Sequence, residues 1–363
     1  MDRRALGGEF GLARFSNNSR IADTMNDSPA LQFFESGRDS IRAVLDVFPS
    51  KHILASAYSC RAVVDSLSHS GPQNLTLVDI DSSLYPNIDQ IADHLHYRKG
   101  DYSDLLFFLG NLWGTRYPVS LLEFLQQFRR SGGTVIEDLT HKLDSQPLAD
   151  SDGWMCSTRK WFGTTGLAAL NLFEETFVAS SNKTYTPSSL SLRLFHMRLL
   201  NFVPRQSAFR KLIIEQLRHS DEMLGSNQMI SVANRREIRR FRSQDWSQIL
   251  ASRYRNKSRL EGCLQPTSTI SVLNPIAANM SVFPTTIKIS SGQEALRTYL
   301  RRHNVFAANL WPLGHLKAFY PSAYSLSRSA LTLPCDQRFN MDSSTRIADL
   351  INSYRLNEEK TTG

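Results

Sequence analysis

Two segments in the first half of the chain hold residue types that could do chemistry together. Val135-Ile136-Glu137-Asp138-Leu139-Thr140-His141 sets carboxylates directly after an apolar, strand-like run. A carboxylate there is either a helix cap or a functional group aimed into the crevice at a strand end. Further on, Met155-Cys156-Ser157-Thr158-Arg159-Lys160-Trp161-Phe162-Gly163 places a lysine among an arginine and two aromatics. Taken alone, such a lysine reads as a surface residue whose stem lies along apolar neighbours.

Taken together, the segments suggest cofactor chemistry. A pyridoxal phosphate enzyme needs a lysine to hold the cofactor as a Schiff base. It also needs a carboxylate that keeps the pyridine nitrogen protonated, so that the ring can accept electrons. Phosphate is best met by backbone N–H groups at a helix N-terminus. Gly37-Arg38-Asp39-Ser40 opens an amphipathic helix in which Ile41, Val44, Leu45 and Phe48 recur at helical spacing, and Ser157 could add a hydroxyl.

These groups need strands and helices to bring them together. Strand signals at 52–55, 75–80, 105–109 and 134–136 alternate with helix signals near 61–67, 89–94 and 121–128. Such alternation implies a mostly parallel sheet covered on both faces, with the ligand at the carboxyl ends of the strands. The suspects are then residues 56–60, Asn111, 137–141 and 157–160. Beyond residue 180 the pattern turns to long helices at 190–201 and 209–217, and residues 225–243 read as a polar, basic loop. A helix at 244–258 follows, then a smaller α+β unit with strands near 281–289 and 305–309, a helix at 292–302 and a final helix carrying Ile347, Leu350, Ile351 and Tyr354. The expected division is a large domain with an N-terminal arm over 1–205, and connecting helices with a smaller C-terminal domain over 206–363.

Composition narrows the class. With 363 residues, 41% hydrophobic and 21% charged, the chain can bury a sizeable core, which excludes a wholly disordered or fibrous protein. Cys60, Cys156, Cys263 and Cys335 show no CxxC spacing, which argues against a zinc site or disulfide scaffold, and no histidine arrangement suggests a metal. No apolar run is long enough for a membrane span, and no apolar signal core follows Met1, so a cytoplasmic protein is expected. The net charge of +8 favours anionic partners. Its arginine-rich run at 235–242 has no nucleic-acid recognition motif beside it and reads as a solvated face.

In the order of its elements the sequence resembles the DegT/StrS sugar aminotransferases, among the fold-type I pyridoxal phosphate enzymes. The resemblance covers most of the chain. It runs through Gly7-Gly8-Glu9-Phe10, the helix opening at Gly37-Arg38, Ala57-Tyr58-Ser59-Cys60-Arg61-Ala62-Val63-Val64, and Val78-Asp79-Ile80-Asp81. Ile136-Glu137-Asp138 with His141, and Ser157 to Gly163 ending in Trp-Phe-Gly, are its most specific parts. Leu310-Trp311-Pro312-Leu313 and Leu331 to Arg338 continue it.

The resemblance implies pyridoxal 5'-phosphate held by Lys160, which would also shuttle protons, with Asp138 at the pyridinium nitrogen and His141 near the phenolic oxygen. Gly37, Arg38, Asp39 and Ser157 match the phosphate region, and Trp311, His315 and Arg338 fall in segments that could meet substrate. It further implies an amino donor such as glutamate, a keto acceptor, most often a nucleotide-linked keto-sugar, and a homodimer. Three departures stand out. Cys60 occupies the position where many members carry a ring-stacking aromatic, with Tyr58 nearby as the other alignment. Asn111 stands where a histidine is common. Gly163-Thr164-Thr165-Gly166 lacks the usual acidic residue. Two competing readings are another pyridoxal phosphate reaction (elimination, racemisation or carbon–carbon bond formation) and a non-catalytic nucleic-acid-binding or regulatory protein.

Overall fold

The computed structural model describes residues 6–7, 31–174, 188–200, 202–203, 207–226, 230–265, 267, 269–278, 281–313 and 318–362. The chain opens with a short strand β1 (Leu6–Gly7), then β2 (Leu31–Phe34), α1 (Gly37–Val47), β3 (His52–Ser56), α2 (Arg61–Leu67), β4 (Leu75–Val78) and α3 (Ile88–Leu95). It continues through β5 (Leu105–Gly110), α4 (Val119–Arg130), β6 (Thr134–Asp138), β7 (Gly153–Ser157) and β8 (Ala168–Leu172). Six of these strands join β2 in a seven-stranded sheet of order β2-β8-β7-β6-β5-β3-β4. The β4-β3-β5-β6-β7 stretch is parallel, while β8 at one side runs antiparallel to both its neighbours, β7 and the edge strand β2. The sheet is α/β and mostly parallel, as the alternation of periods requires.

β5 shows why. Leu105 to Leu109 are all buried, because helices cover both faces of a central parallel strand. Chain order reverses about β3, which has β4 on one side and β5 on the other. The crevice at such a switch lies beyond the carboxyl ends of the strands. β6 sorts its two carboxylates by the two-residue strand period. Glu137 turns into the scaffold, where Tyr117 donates a 2.5 Å hydrogen bond and Leu148 N–H one of 2.9 Å. Asp138 ends the strand at the crevice.

The second half comprises α5 (Ser188–Leu200), α6 (Ala208–Ser226), α7 (Arg235–Arg242) and α8 (Trp246–Cys263), then β9 (Ile270–Val272), β10 (Thr286–Ile289), α9 (Gln293–Arg302) and β11 (Val305–Phe306). α10 (Pro321–Ser329), β12 (Ala330–Thr332) and α11 (Met341–Thr362) complete it. β9, β10 and β12 form an antiparallel sheet, and β1 pairs with β11, carrying Leu6 into a separate core with Leu260, Ile287, Leu300 and Ile351.

The expectation of a loop across 225–243 needs correction, since residues 235–242 are the helix α7. Asn234 caps it by accepting from Arg236 N–H, and Glu237, Arg240 and Phe241 are buried while Arg235, Arg236 and Arg239 face solvent. The basic composition hid an amphipathic pattern. One buried arginine pairs with Glu237 on the next turn, and Glu237 also accepts from Thr165 N–H at 3.0 Å. Just before α7, Val232 bridges Phe34, so this part of the chain returns to the edge of the large sheet.

Candidate active site

The ends of β3, β5, β6 and β7 and the start of α1 surround a cavity of about 290 Å³. Its wall includes Gly37, Arg38, Tyr58, Cys60, Asn111, Asp138, His141, Ser157, Lys160 and Trp311. These ten are drawn from sequence-singled residues spread over most of the chain. Asp39 and Arg338 do not line it, and His315 lies outside the described residues.

The charge of Lys160 reaches both the aspartate and the histidine. Lys160 ends a short 3-10 turn, Thr158–Lys160, that follows β7 directly. Burial pushes the Asp138 carboxyl up from the ordinary aspartate range, against hydrogen bonds from Thr140 and the positive charge of Lys160. Burial and the same lysine charge hold the His141 imidazole far below its usual value, so it is neutral. Its Nδ1 accepts from Trp113 N–H at 3.3 Å, which leaves the ring proton on Nε2. The ring is clamped between Phe283, 4.0 Å away, and Trp311, nearly parallel at 5.3 Å.

On the wall of the same cavity, Ser36 caps α1 by accepting from Asp39 N–H at 3.2 Å. The first N–H groups of a helix have no acceptor within it, and the helix dipole adds positive potential there. Gly37 makes the approach close. A Cβ on it would stand 3.4 Å from Ser157 Cβ and 3.5 Å from Met155 Cε. The helix start, Ser157 and Arg38 therefore line the same cavity with groups whose chemistry suits an anion. Asp39 serves the helix instead, through contacts with Ser36, Arg42 and Ser231 N–H.

The other expected residues divide by what already holds them. Tyr58 is fully buried; its hydroxyl donates to Leu310 O at 3.0 Å and its ring meets Trp113 and Trp311 edge-on. Cys60 is half-buried at the start of α2. The Asn111 amide donates to Tyr85 Oη at 3.1 Å and Thr115 O at 3.2 Å, which ties it into the scaffold rather than leaving it as a donor. Arg338 is engaged in a two-toothed pair with Asp336, at 2.8 and 2.7 Å.

Arg193 and Met197 of α5 also line the cavity, although nothing in the sequence marked them. Their i, i+4 spacing places them on one helix face, but only the docking of α5 decides which face meets the site. Four cations (Arg38, Arg159, Lys160 and Arg193) thus line a cavity containing Asp138. Among the described residues no cluster of three or more metal-ligating side chains assembles, and no helix is long and apolar enough to cross a membrane.

No family model and no curated protein matches the sequence. Solved structures do match in shape. DesI, solved in the presence of its TDP-sugar product, is 14% identical and superposes over 100% of this chain and 95% of its own, with a TM-score of 0.65. A candidate sugar aminotransferase of Streptococcus pneumoniae, in its PLP form, is 12% identical over 94% of this chain and 96% of its own, with a TM-score of 0.60. A DegT DnrJ EryC1 StrS aminotransferase of Brucella abortus is 14% identical over 89% of this chain and 85% of its own, with a TM-score of 0.56. At such identities the likeness establishes a shared fold, and it is the fold of the family that the sequence motifs resemble.

Proposed function

We propose that this chain is a pyridoxal phosphate-dependent sugar aminotransferase of the DegT/StrS type. The observation that carries the reading is the convergence of Lys160, Asp138 and His141 on one cavity that the α1 N-terminus and Ser157 also line. A half-buried carboxylate whose charge is disfavoured by its surroundings suits a cationic ring nitrogen, and the helix start with Ser157 and Arg38 suits a phosphate. When bound, the cofactor supplies an electron sink for the carbon that exchanges its amine.

The protein's own residues would then divide the work. Lys160 Nζ holds the cofactor's aldehyde and, once displaced, takes and returns a proton. Asp138 keeps the ring nitrogen charged. Neutral His141 offers its Nε2–H to the cavity in a fixed orientation, because Phe283 and Trp311 hold its ring. Phe162, Tyr58 and Trp311 limit water at the reacting atoms. Arg159 and Arg193 add positive charge for an anionic substrate, which supports a nucleotide-linked keto-sugar as acceptor and glutamate as donor. A homodimer and a cytoplasmic setting belong to the same reading.

The test is the visible spectrum of the protein with pyridoxal phosphate, before and after glutamate, alongside Lys160→Ala. The expected result is a yellow band that glutamate removes and that the variant lacks. A yellow protein indifferent to amino donors would point to another reaction of the same cofactor. A protein that takes up no cofactor would overturn the proposal.

A further inference from the structure

α8 reaches the lysine-bearing turn from behind. Arg253 is fully buried, and its Nη2 donates to the carbonyl oxygens of both Lys160, at 3.1 Å, and Trp161, at 3.0 Å. Its Nε donates to Gln337 Oε1 at 2.7 Å, and the guanidinium lies 4.5 Å from the centre of the Trp161 ring. The Gln337 amide donates back to the same Trp161 carbonyl. Asn256, three residues along α8, fixes the segment that bears Gln337 through bonds of 2.9 Å to the carbonyls of Asp336 and Phe339.

Stability alone does not account for this arrangement. Burying a cation is costly, and well-packed apolar side chains often do as well or better. Burial draws the Arg253 guanidinium down to about 10. The Asp336 carboxylate, which helps to hold it charged, is itself bonded to Arg338. What the buried fork grips are neutral carbonyls of the peptides that launch the Lys160 side chain. That turn is short, and a long flexible side chain reaches a fixed point only if its backbone is held.

We propose that Arg253 is a positioning residue for Lys160: by holding the Lys160 and Trp161 carbonyls it aims the lysine amine at the cavity. The assignment rests on the cofactor reading above. Lys257, one turn further along α8, supplies the comparison. Its Nζ donates to Ser281 O at 2.8 Å and Phe283 O at 3.1 Å, and so backs the ring stacked on His141 without touching the lysine turn.

Binding of two cofactor forms separates positioning from general support. With pyridoxal phosphate, Lys160 Nζ forms a C=N bond to the aldehyde carbon and the aldehyde oxygen leaves as water. Pyridoxamine phosphate carries an amine there and makes no bond to Lys160. Arg253→Met should weaken pyridoxal phosphate binding and slow the yellow band by about tenfold or more, approaching Lys160→Ala, with pyridoxamine phosphate affinity within about twofold of wild type. Arg253→Lys keeps the cation but cannot span two carbonyls and Gln337, and should fall between. Lys257→Met should leave the preference between the two forms unchanged.

Equal loss of both forms in Arg253→Met, or no loss of either, would overturn the assignment while leaving the cofactor reading intact. If Arg253→Met does not fold, Arg253→Lys and Gln337→Met give the same comparison. Wild-type protein that binds neither form would defeat the cofactor reading, and this assignment with it.

Discussion

The imidazole of His141 lies parallel to the indole of Trp311, their centroids 5.3 Å apart and their planes within 7°. His141 follows a strand of the large sheet, and Trp311 follows β11, the strand paired with the N-terminal β1. The two parts of the chain therefore meet at a titratable group of the candidate site.

That group should make the protein sensitive to acid. The folded His141 stays neutral well below the usual histidine value, while the unfolded chain takes up a proton near 6.5. The unfolded state then binds more protons below that pH, so stability should fall as pH drops through 6.5. His141→Gln should flatten this slope in denaturant titrations at pH 5 and 7. An unchanged slope would show that His141 titrates normally.

Glu35 should act in the opposite sense. It is 2% exposed, and burial, with the nearby Asp39 charge, pushes its carboxyl up to about 8. The folded state holds this proton between the ordinary glutamate value and about 8, while the unfolded state does not. Stability is thus lost as pH rises across that window. Glu35→Gln should stabilise the protein by on the order of 1 kcal/mol at pH 9 relative to its effect at pH 4. Calorimetry at the two pH values checks it.

Asp79 ties the end of β4 to the start of α10. Its carboxylate accepts from Ser322 N–H at 2.9 Å and Ala323 N–H at 2.8 Å, as well as from Ile80 N–H. Asp79→Ala should cost about 2 kcal/mol, and Asp79→Asn less, because the amide oxygen can still cap the helix without its charge. Equal losses in urea unfolding would mean that charge carries the whole effect.

Gly114 is a steric requirement. Its φ is +72°, and a Cβ there would stand 2.0 Å from Ser281 Cβ and 3.0 Å from the His141 carbonyl oxygen. Gly114→Ala should cost roughly 3 kcal/mol or more. It should also disturb the Ser281 hydroxyl's 3.2 Å bond to that carbonyl. The unfolding temperature and, on the function proposed above, pyridoxal phosphate affinity should fall together; a variant with wild-type values would contradict the contact.

Much of this arrangement was legible in the sequence, because its signals are local. The apolar run of β5, the helical spacing of α1 and the carboxylates closing β6 each follow from residues within one or two turns of each other. Placing Asp138, Ser157 and Lys160 at or just beyond strand ends was enough to bring them to one crevice, since parallel strands align their carboxyl ends. α7 is masked in the sequence because six of its eight residues are arginine or glutamate, which reads as a solvated stretch. Its basic residues hide a buried Glu237, Arg240 and Phe241.

Tertiary structure alone decided the rest, for a reason of geometry. Arg193 faces the cavity only because α5 docks with that side inward, and Asp39 leaves it because Ser36, Arg42 and Ser231 take its oxygens. Arg253 grips a turn 93 residues away in sequence, and His141 is clamped by rings at 283 and 311. Sequence determined which residues carry charge, protons and rings, and on which elements they ride. Packing between distant segments determined which of those groups meet, because contact depends on how elements dock and no local pattern encodes the partner.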